Sequence, residues 1–153
     1  MRRIAIVTLM LLSFAAPALA ARRDPVVHYI AAHYGMRTAK RYAPLIEKNA
    51  QKYHFDPLLI SRLIRLESDF NPRERSRSDA IGLMQVRKGH ARHGENLYDP
   101  KVNLMFGCRL LHKYTQEFGG DLEKGLSAYL HGPIWVASRG VRRTRYSRRL
   151  LGR

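Results

Sequence analysis

Three Asp-Pro pairs punctuate this chain, at Asp24-Pro25, Asp56-Pro57 and Asp99-Pro100. Each marks a helix start. An aspartate accepts hydrogen bonds from the first free amides, and a proline at the first helical position has no amide to leave unpaired. Stop signals follow at helical distances. Helices are predicted over Pro25–Tyr34 (closed by Gly35), Pro57–Phe70 (stopped by Asn71-Pro72) and Pro100 to about Phe118 (stopped by Gly119-Gly120). Pro44–Tyr53 reads as a further helix, with Leu45, Ile46, Ala50 and Tyr53 on one side. Asp121 caps another through about Leu130, ended by Gly132-Pro133, and a short last helix runs from about Arg142 to Leu151. Alternating strand patterns are almost absent. The expected class is therefore mainly α, one domain of about six helices with little or no sheet.

The stretch 71–98 is irregular and rich in Ser, Arg, Gly and His, yet it contains the apolar island "AIGLMQV". Long irregular segments in compact domains are usually functional or disordered. An apolar island argues for function, because disordered segments seldom keep one.

Residues 1–20 read as a secretory signal. Arg2 and Arg3 begin it, "IAIVTLMLLSFAA" is its apolar run, and Ala18-Leu19-Ala20 is an A-x-A cleavage site. A retained anchor is the alternative, but the apolar run falls short of the roughly 20 residues that span a bilayer. No cysteine follows it, which argues against a lipoprotein anchor. The expected product is an exported domain over residues 21–153, periplasmic or secreted, without stable membrane insertion.

Cys108 is the only cysteine of the 153 residues, so no intrachain disulfide can form. It lies in an apolar helical stretch and is expected to be a small buried hydrophobe. The seven histidines are scattered without ligand spacing, so no metal or other cofactor is expected. The formal net charge is +16, two units of which lie in the leader. Such a charge attracts polyanions. An exported protein seldom meets nucleic acid, and no nucleic-acid recognition motif is present. An anionic wall or membrane surface fits better, with a merely solvating basic surface as the plain alternative.

One carboxylate is out of place. On a helical wheel at about 100° per residue, Glu67 falls between Ile60 and Leu63, inside the arc formed with Leu59, Leu66 and Phe70. Ser61, Arg62, Arg65, Ser68 and Asp69 occupy the other side. The residues three and four away from Glu67 are Leu63, Ile64, Phe70 and Asn71, none charged. Burying a carboxylate costs several kcal/mol unless something compensates. Two readings follow: an ion pair with a distant Arg or Lys, or an acid in an apolar-walled cleft. Desolvation in such a cleft holds the proton near neutral pH and makes a general acid.

The surroundings of Glu67 carry a resemblance. "ESDFNP" is followed by "SRSDAIGLMQV", then "LYDPKVNLMFGCRLL", then "LSAYLHGP". This order resembles the lytic transglycosylases of the soluble-type, lysozyme-like family. Their pattern runs Glu-Ser-x-aromatic-Asn-Pro, a Ser, Gly-Ala-x-Gly-Leu-Met-Gln, Asp-Pro-x-x-Asn with a downstream Gly, and Ala-Tyr-Asn-x-Gly. The likeness covers roughly residues 42–151, and the upstream "YAPLIEKNAQKYHFDPLLISRLIRLES" is similar to the family's preceding helices. The resemblance implies a lysozyme-like fold and a single catalytic acid/base at Glu67. It implies substrate contacts from Ser76, Met84, Gln85 and Tyr129. Ser68 faces away from the acid on the wheel and is expected to brace the helix.

Three positions depart from the pattern: Asp79 replaces a Gly, Arg87-Lys88 replaces a Met-Pro pair, and Leu130 replaces the Asn after the motif tyrosine. Arg87 implies a more basic groove wall, and Leu130 removes one polar contact. By resemblance the partner is the glycan strand of peptidoglycan. Cleavage falls between N-acetylmuramic acid and N-acetylglucosamine, assisted by the substrate's N-acetyl group. Glu67 first protonates the leaving oxygen, then accepts the muramoyl 6-hydroxyl proton as an anhydro ring closes. The basic tail "SRGVRRTRYSRRLLGR" is expected to hold wall material, while Val141, Tyr146, Leu150 and Leu151 give its helix an inward face. The alternatives are a water-using muramidase with Asp79 as base, and a wall-binding accessory with a weak site. Wall turnover and service to a secretion or conjugation apparatus are both compatible with a small exported domain.

Overall fold

The computed structural model describes residues 24–91, 94–139 and 144–152. The leader expected over 1–20, and Val141 and Arg142 of the tail, lie outside the described residues. Helix α1 spans Pro25–Tyr53, broken by non-helical backbone at Gly35 (φ 80°, ψ 161°), and α2 spans Pro57–Ser68. A hairpin follows, β1 (Ala80–Ile81) and β2 (Val86–Arg87), then a short 3₁₀ turn over Lys88–His90. The chain continues with α3 (Pro100–Glu117), α4 (Leu122–His131), α5 (Pro133–Arg139) and α6 (Arg145–Leu151). No described helix is long and apolar enough to cross a membrane.

The caps act as their chemistry dictates. Asp24 accepts from Val26 N at 2.9 Å, Asp56 from Leu58 N at 2.9 Å, Asp99 from Lys101 N at 2.8 Å and Asp121 from Lys124 N at 3.1 Å. One boundary and one additional helix differ from the sequence reading. The helix expected to begin at Pro44 resumes directly after Gly35, with Pro44 on an exposed face inside it. Pro44 has no N–H to donate, but at an exposed position the freed carbonyl four residues back is not buried unpaired. Secondly, Gly132-Pro133 ends α4 as expected, with Gly132 as its C-cap, but a further helix follows at once. Pro133 opens α5, as a proline at a first helical position can.

Helix α3 runs through the centre, against α1, α4 and β2. Leu104, Phe106, Cys108 and Leu111 on it are fully buried, with Ile60, Leu63 and Ile64 of α2 and Leu83 and Met84 of the hairpin turn. The apolar island is thus core. Its strands pair antiparallel, Ala80 opposite Arg87 and Ile81 opposite Val86. Cys108 is buried 3.8 Å from the Met84 sulfur, and burial pushes its thiol up to about 12.

Asn103 fixes the hairpin turn to α3. Its Oδ1 accepts from Met84 N at 2.7 Å, and its Nδ2 donates to Ile81 O at 2.7 Å and Leu97 O at 2.9 Å. Gly82 lies against this amide with φ +76°, and a Cβ there would collide with Asn103 Nδ2 and stand 2.6 Å from Leu97 O. Only glycine meets both the dihedral and the space.

Candidate active site

Glu67 occupies the last turn of α2, half-buried, between two cavities that it lines in common with Leu130 and His131. The first, about 240 Å³, is also lined by Ser76, Ser78, Gln85, Arg87 and Tyr129. The second, about 420 Å³, is bounded by Leu66, Thr144, Arg145, Tyr146 and Arg149. Glu67 is the only carboxylate lining either cavity among the described residues.

Burial raises the pKa of Glu67, because the ionised form loses hydration. A hydrogen bond from the Tyr146 hydroxyl to Glu67 Oε1 opposes that rise by stabilising the carboxylate. Among the described residues no cation forms an ion pair with Glu67. The distant ion pair considered from sequence is therefore replaced by a neutral donor. Tyr146 is placed by local chemistry. Thr144 and Ser147 form a capping box that starts α6, with Ser147 N donating to Thr144 Oγ1 at 3.0 Å and Thr144 N to Ser147 Oγ at 3.1 Å. Arg62 of α2 donates to Leu150 O at 3.2 Å, docking α6 against the helix that bears Glu67.

Of the other residues expected at the site, Ser76, Gln85 and Tyr129 line the first cavity with Glu67. Ser76 Oγ accepts from Ala80 N at 3.0 Å and Ser78 N at 3.2 Å, closing the turn before β1. Gln85 stands at φ +48° and donates from Nε2 to Gly82 O at 3.0 Å and Glu74 O at 3.3 Å. Tyr129 donates to Met84 O at 2.6 Å, and burial holds its phenol well above its ordinary range. Met84 is not brought to the groove. Its side chain is fully buried against Gly107 and Cys108, and only its carbonyl serves the site, as the acceptor for Tyr129. Ser68 is buried with Oγ 2.8 Å from Leu83 O and 3.2 Å from Ile64 O, tying α2 to the hairpin turn.

The departures fall as follows. Asp79 takes its glycine position at φ +60°, a conformation that Asp tolerates better than most residues. Its exposed carboxylate is held below the usual range by Arg75, with Arg75 Nη2 at 2.5 Å, and it lines neither cavity. Arg87 lines the first cavity, and Leu130, 42% exposed, lines both. The sequence reading did not place Tyr146 beside Glu67. The two are 79 residues apart, and the only local signal was a tyrosine on the inward face of a basic helix.

A helical domain that sets one half-buried carboxylate at a cleft beside a small hairpin has the lysozyme-like architecture. The chain belongs to the transglycosylase SLT domain family, whose model matches residues 44–149. It is 40% identical over 98 residues to the membrane-bound lytic murein transglycosylase C of Haemophilus influenzae, covering 56% of this chain and 27% of that protein. It is 31% identical over 118 residues to the transglycosylase of Enterobacteria phage PRD1, covering 76% of this chain and 44% of that protein. The chain thus spans from about a quarter to less than half of the length of these relatives. Its fold is similar to that of the 70 kDa soluble lytic transglycosylase SLT70 from Escherichia coli. That match has a TM-score of 0.61 and 22% identity, and covers 77% of this chain and 24% of that one.

Proposed function

We propose that this chain is an exported peptidoglycan lytic transglycosylase. It cleaves the β-1,4 bond between N-acetylmuramic acid and N-acetylglucosamine and leaves a 1,6-anhydromuramoyl end. One observation carries the reading: Glu67 stands as the sole carboxylate lining the two cavities among the described residues. Glycoside hydrolysis ordinarily needs two carboxyl groups across the bond. A reaction in which one carboxyl does both proton transfers needs only Glu67.

Neutral Glu67 gives its proton to the glycosidic oxygen as the bond from that oxygen to the muramoyl C1 breaks. The substrate's own N-acetyl oxygen stabilises the charge at C1. The resulting carboxylate takes the proton of the 6-hydroxyl while O6 bonds to C1, so Glu67 ends protonated and no water is consumed. Burial and the Tyr146 hydroxyl act on Glu67 in opposite senses. A group so balanced is suited to serve as acid and then as base. Ser76, Gln85 and Tyr129 line the cavity that would receive the sugar; Ser76 Oγ is already engaged by Ala80 N and Ser78 N, and the Gln85 side-chain carbonyl is left to meet the substrate. Opening the wall for a secretion or conjugation apparatus belongs to the same proposal, and a phage transglycosylase stands among the relatives.

Mass analysis of fragments from purified sacculi tests this directly. Anhydro ends lack the water that a muramidase would add. Glu67→Gln is expected to lower the rate by about 10²–10⁴, the usual contribution of a positioned acid/base. Fragments carrying the extra water would replace the transglycosylase by a hydrolase, and undiminished clearing by Glu67→Gln would remove Glu67 from catalysis.

A further inference from the structure

The two cavities that meet at Glu67 differ in how their charge is arranged. Toward the hairpin the wall offers Ser76, Ser78 and Gln85, neutral groups suited to sugar hydroxyls and acetamides, with one guanidinium, Arg87. Toward α6 it offers two guanidinium groups, Arg145 and Arg149, one helical turn apart on the same helix face. Neither arginine takes part in an ion pair or side-chain hydrogen bond among the described residues, and both are exposed. His131 stands at the junction of the cavities, its ring held 4.1 Å from that of Trp135 at 31°. Leu66 and Leu130, two of the larger exposed apolar side chains, form the rim of the same cavity.

We infer that the cavity between α2 and α6 is a carboxylate-binding subsite, in which Arg145 and Arg149 take an acidic peptide stem borne by the muramoyl sugar at the cleavage point. This rests on the transglycosylase reading and deepens it. Two guanidinium forks on one face match a carboxylate in geometry as well as charge. The apolar rim fits the alkyl part of a short peptide. The neighbouring N-acetylglucosamine carries no acidic group, so the hydroxyl and amide groups of the hairpin side suit it, and the paired guanidinium groups are left to the peptide. A strand lying across Glu67 would therefore be held in one polarity, with its peptide toward α6. This differs from the general pull of a basic tail on an anionic wall, because it depends on two positions and not on net charge.

The test uses soluble glycan strands that retain their peptide stems, native or with all carboxyl groups converted to amides. Amidation keeps size and removes charge. The full chain is expected to cleave native strands with kcat/KM about tenfold above amidated ones. In the double variant Arg145→Gln, Arg149→Gln that ratio is expected to fall to about one, whereas the double substitution to Lys keeps most of it. Lys48→Gln, an exposed charge on α1, controls for net charge and is expected to leave the ratio unchanged. A ratio within each variant is insensitive to the fraction that is folded. A full-chain ratio near one overturns the subsite, as does a glutamine variant that keeps the full-chain ratio or a Lys48→Gln that loses it. If neither strand is cleaved by the full chain, the transglycosylase reading fails instead.

Discussion

At the scale of one residue, Glu67 sets its burial against a single hydrogen bond. Burial favours the protonated form, and the Tyr146 hydroxyl favours the ionised one. The consequence for stability has a definite sign. A carboxyl whose folded pKa is raised contributes stability that is complete below its unfolded value, about 4.3, and lost as pH rises through the folded value. Glu67→Gln keeps the shape and cannot ionise. Its thermal midpoint is expected to match the wild type near pH 4 and to exceed it progressively toward neutral pH. Equal midpoints at all pH values would show that the fold does not oppose ionisation of Glu67. Tyr146→Phe removes the opposing hydrogen bond. In that variant the alkaline fall of the rate on sacculi is expected at higher pH than in the wild type.

At the scale of elements, the site is a joint among α2, the hairpin, α3 and α4. Ser68 bonds Leu83 O, Asn103 bonds Met84 N and Ile81 O, and Tyr129 bonds Met84 O. Met84 is the shared piece, and it rests on Gly107, where a Cβ would meet its sulfur at 2.5 Å and its own Cβ at 2.7 Å. Gly107→Ala is therefore expected to destabilise the fold by about 1–3 kcal/mol, as overpacking does. It should also weaken activity, because Met84 must shift and takes the Tyr129 acceptor with it. A chemical-denaturation midpoint equal to the wild type would show that the joint yields without strain. Much of this was legible along the chain where the cause is local. The Asp-Pro caps show where four-residue chemistry begins a helix, and the wheel shows Glu67 on an apolar arc. Causes that join distant residues left no such trace. Met84 reads as groove lining until α3 is packed behind it, and Tyr146 reads as an inward-facing tyrosine until α6 is docked on α2. Pro44 and Pro133 misled in opposite ways. Pro44 starts nothing because the chain before it is already helical, whereas Pro133, read only as part of a stop, also opens the next helix.

At the scale of the whole molecule, the formal charge of +16 includes the dense arginines of the last segment. Long-range attraction between such a chain and an acidic wall is screened over about 8–10 Å at moderate salt. Retention on purified sacculi is therefore expected to fall several-fold between low and high ionic strength. Retention insensitive to salt would overturn the role of the basic tail. The break at Gly35 shapes the molecule in another way. The helical segment before it precedes the family match at residues 44–149, yet its Tyr34 hydroxyl bonds Asp69, two residues beyond Glu67. Tyr34 also stacks on Phe70 at 4.7 Å, and Asp69 and Phe70 both hold left-handed backbone, φ 52° and 60°. A fragment trimmed to the family boundary would lose the mooring of that corner while keeping every motif of the cleft. The segment upstream of the recognisable domain is in this sense a guy rope for the acid it never touches.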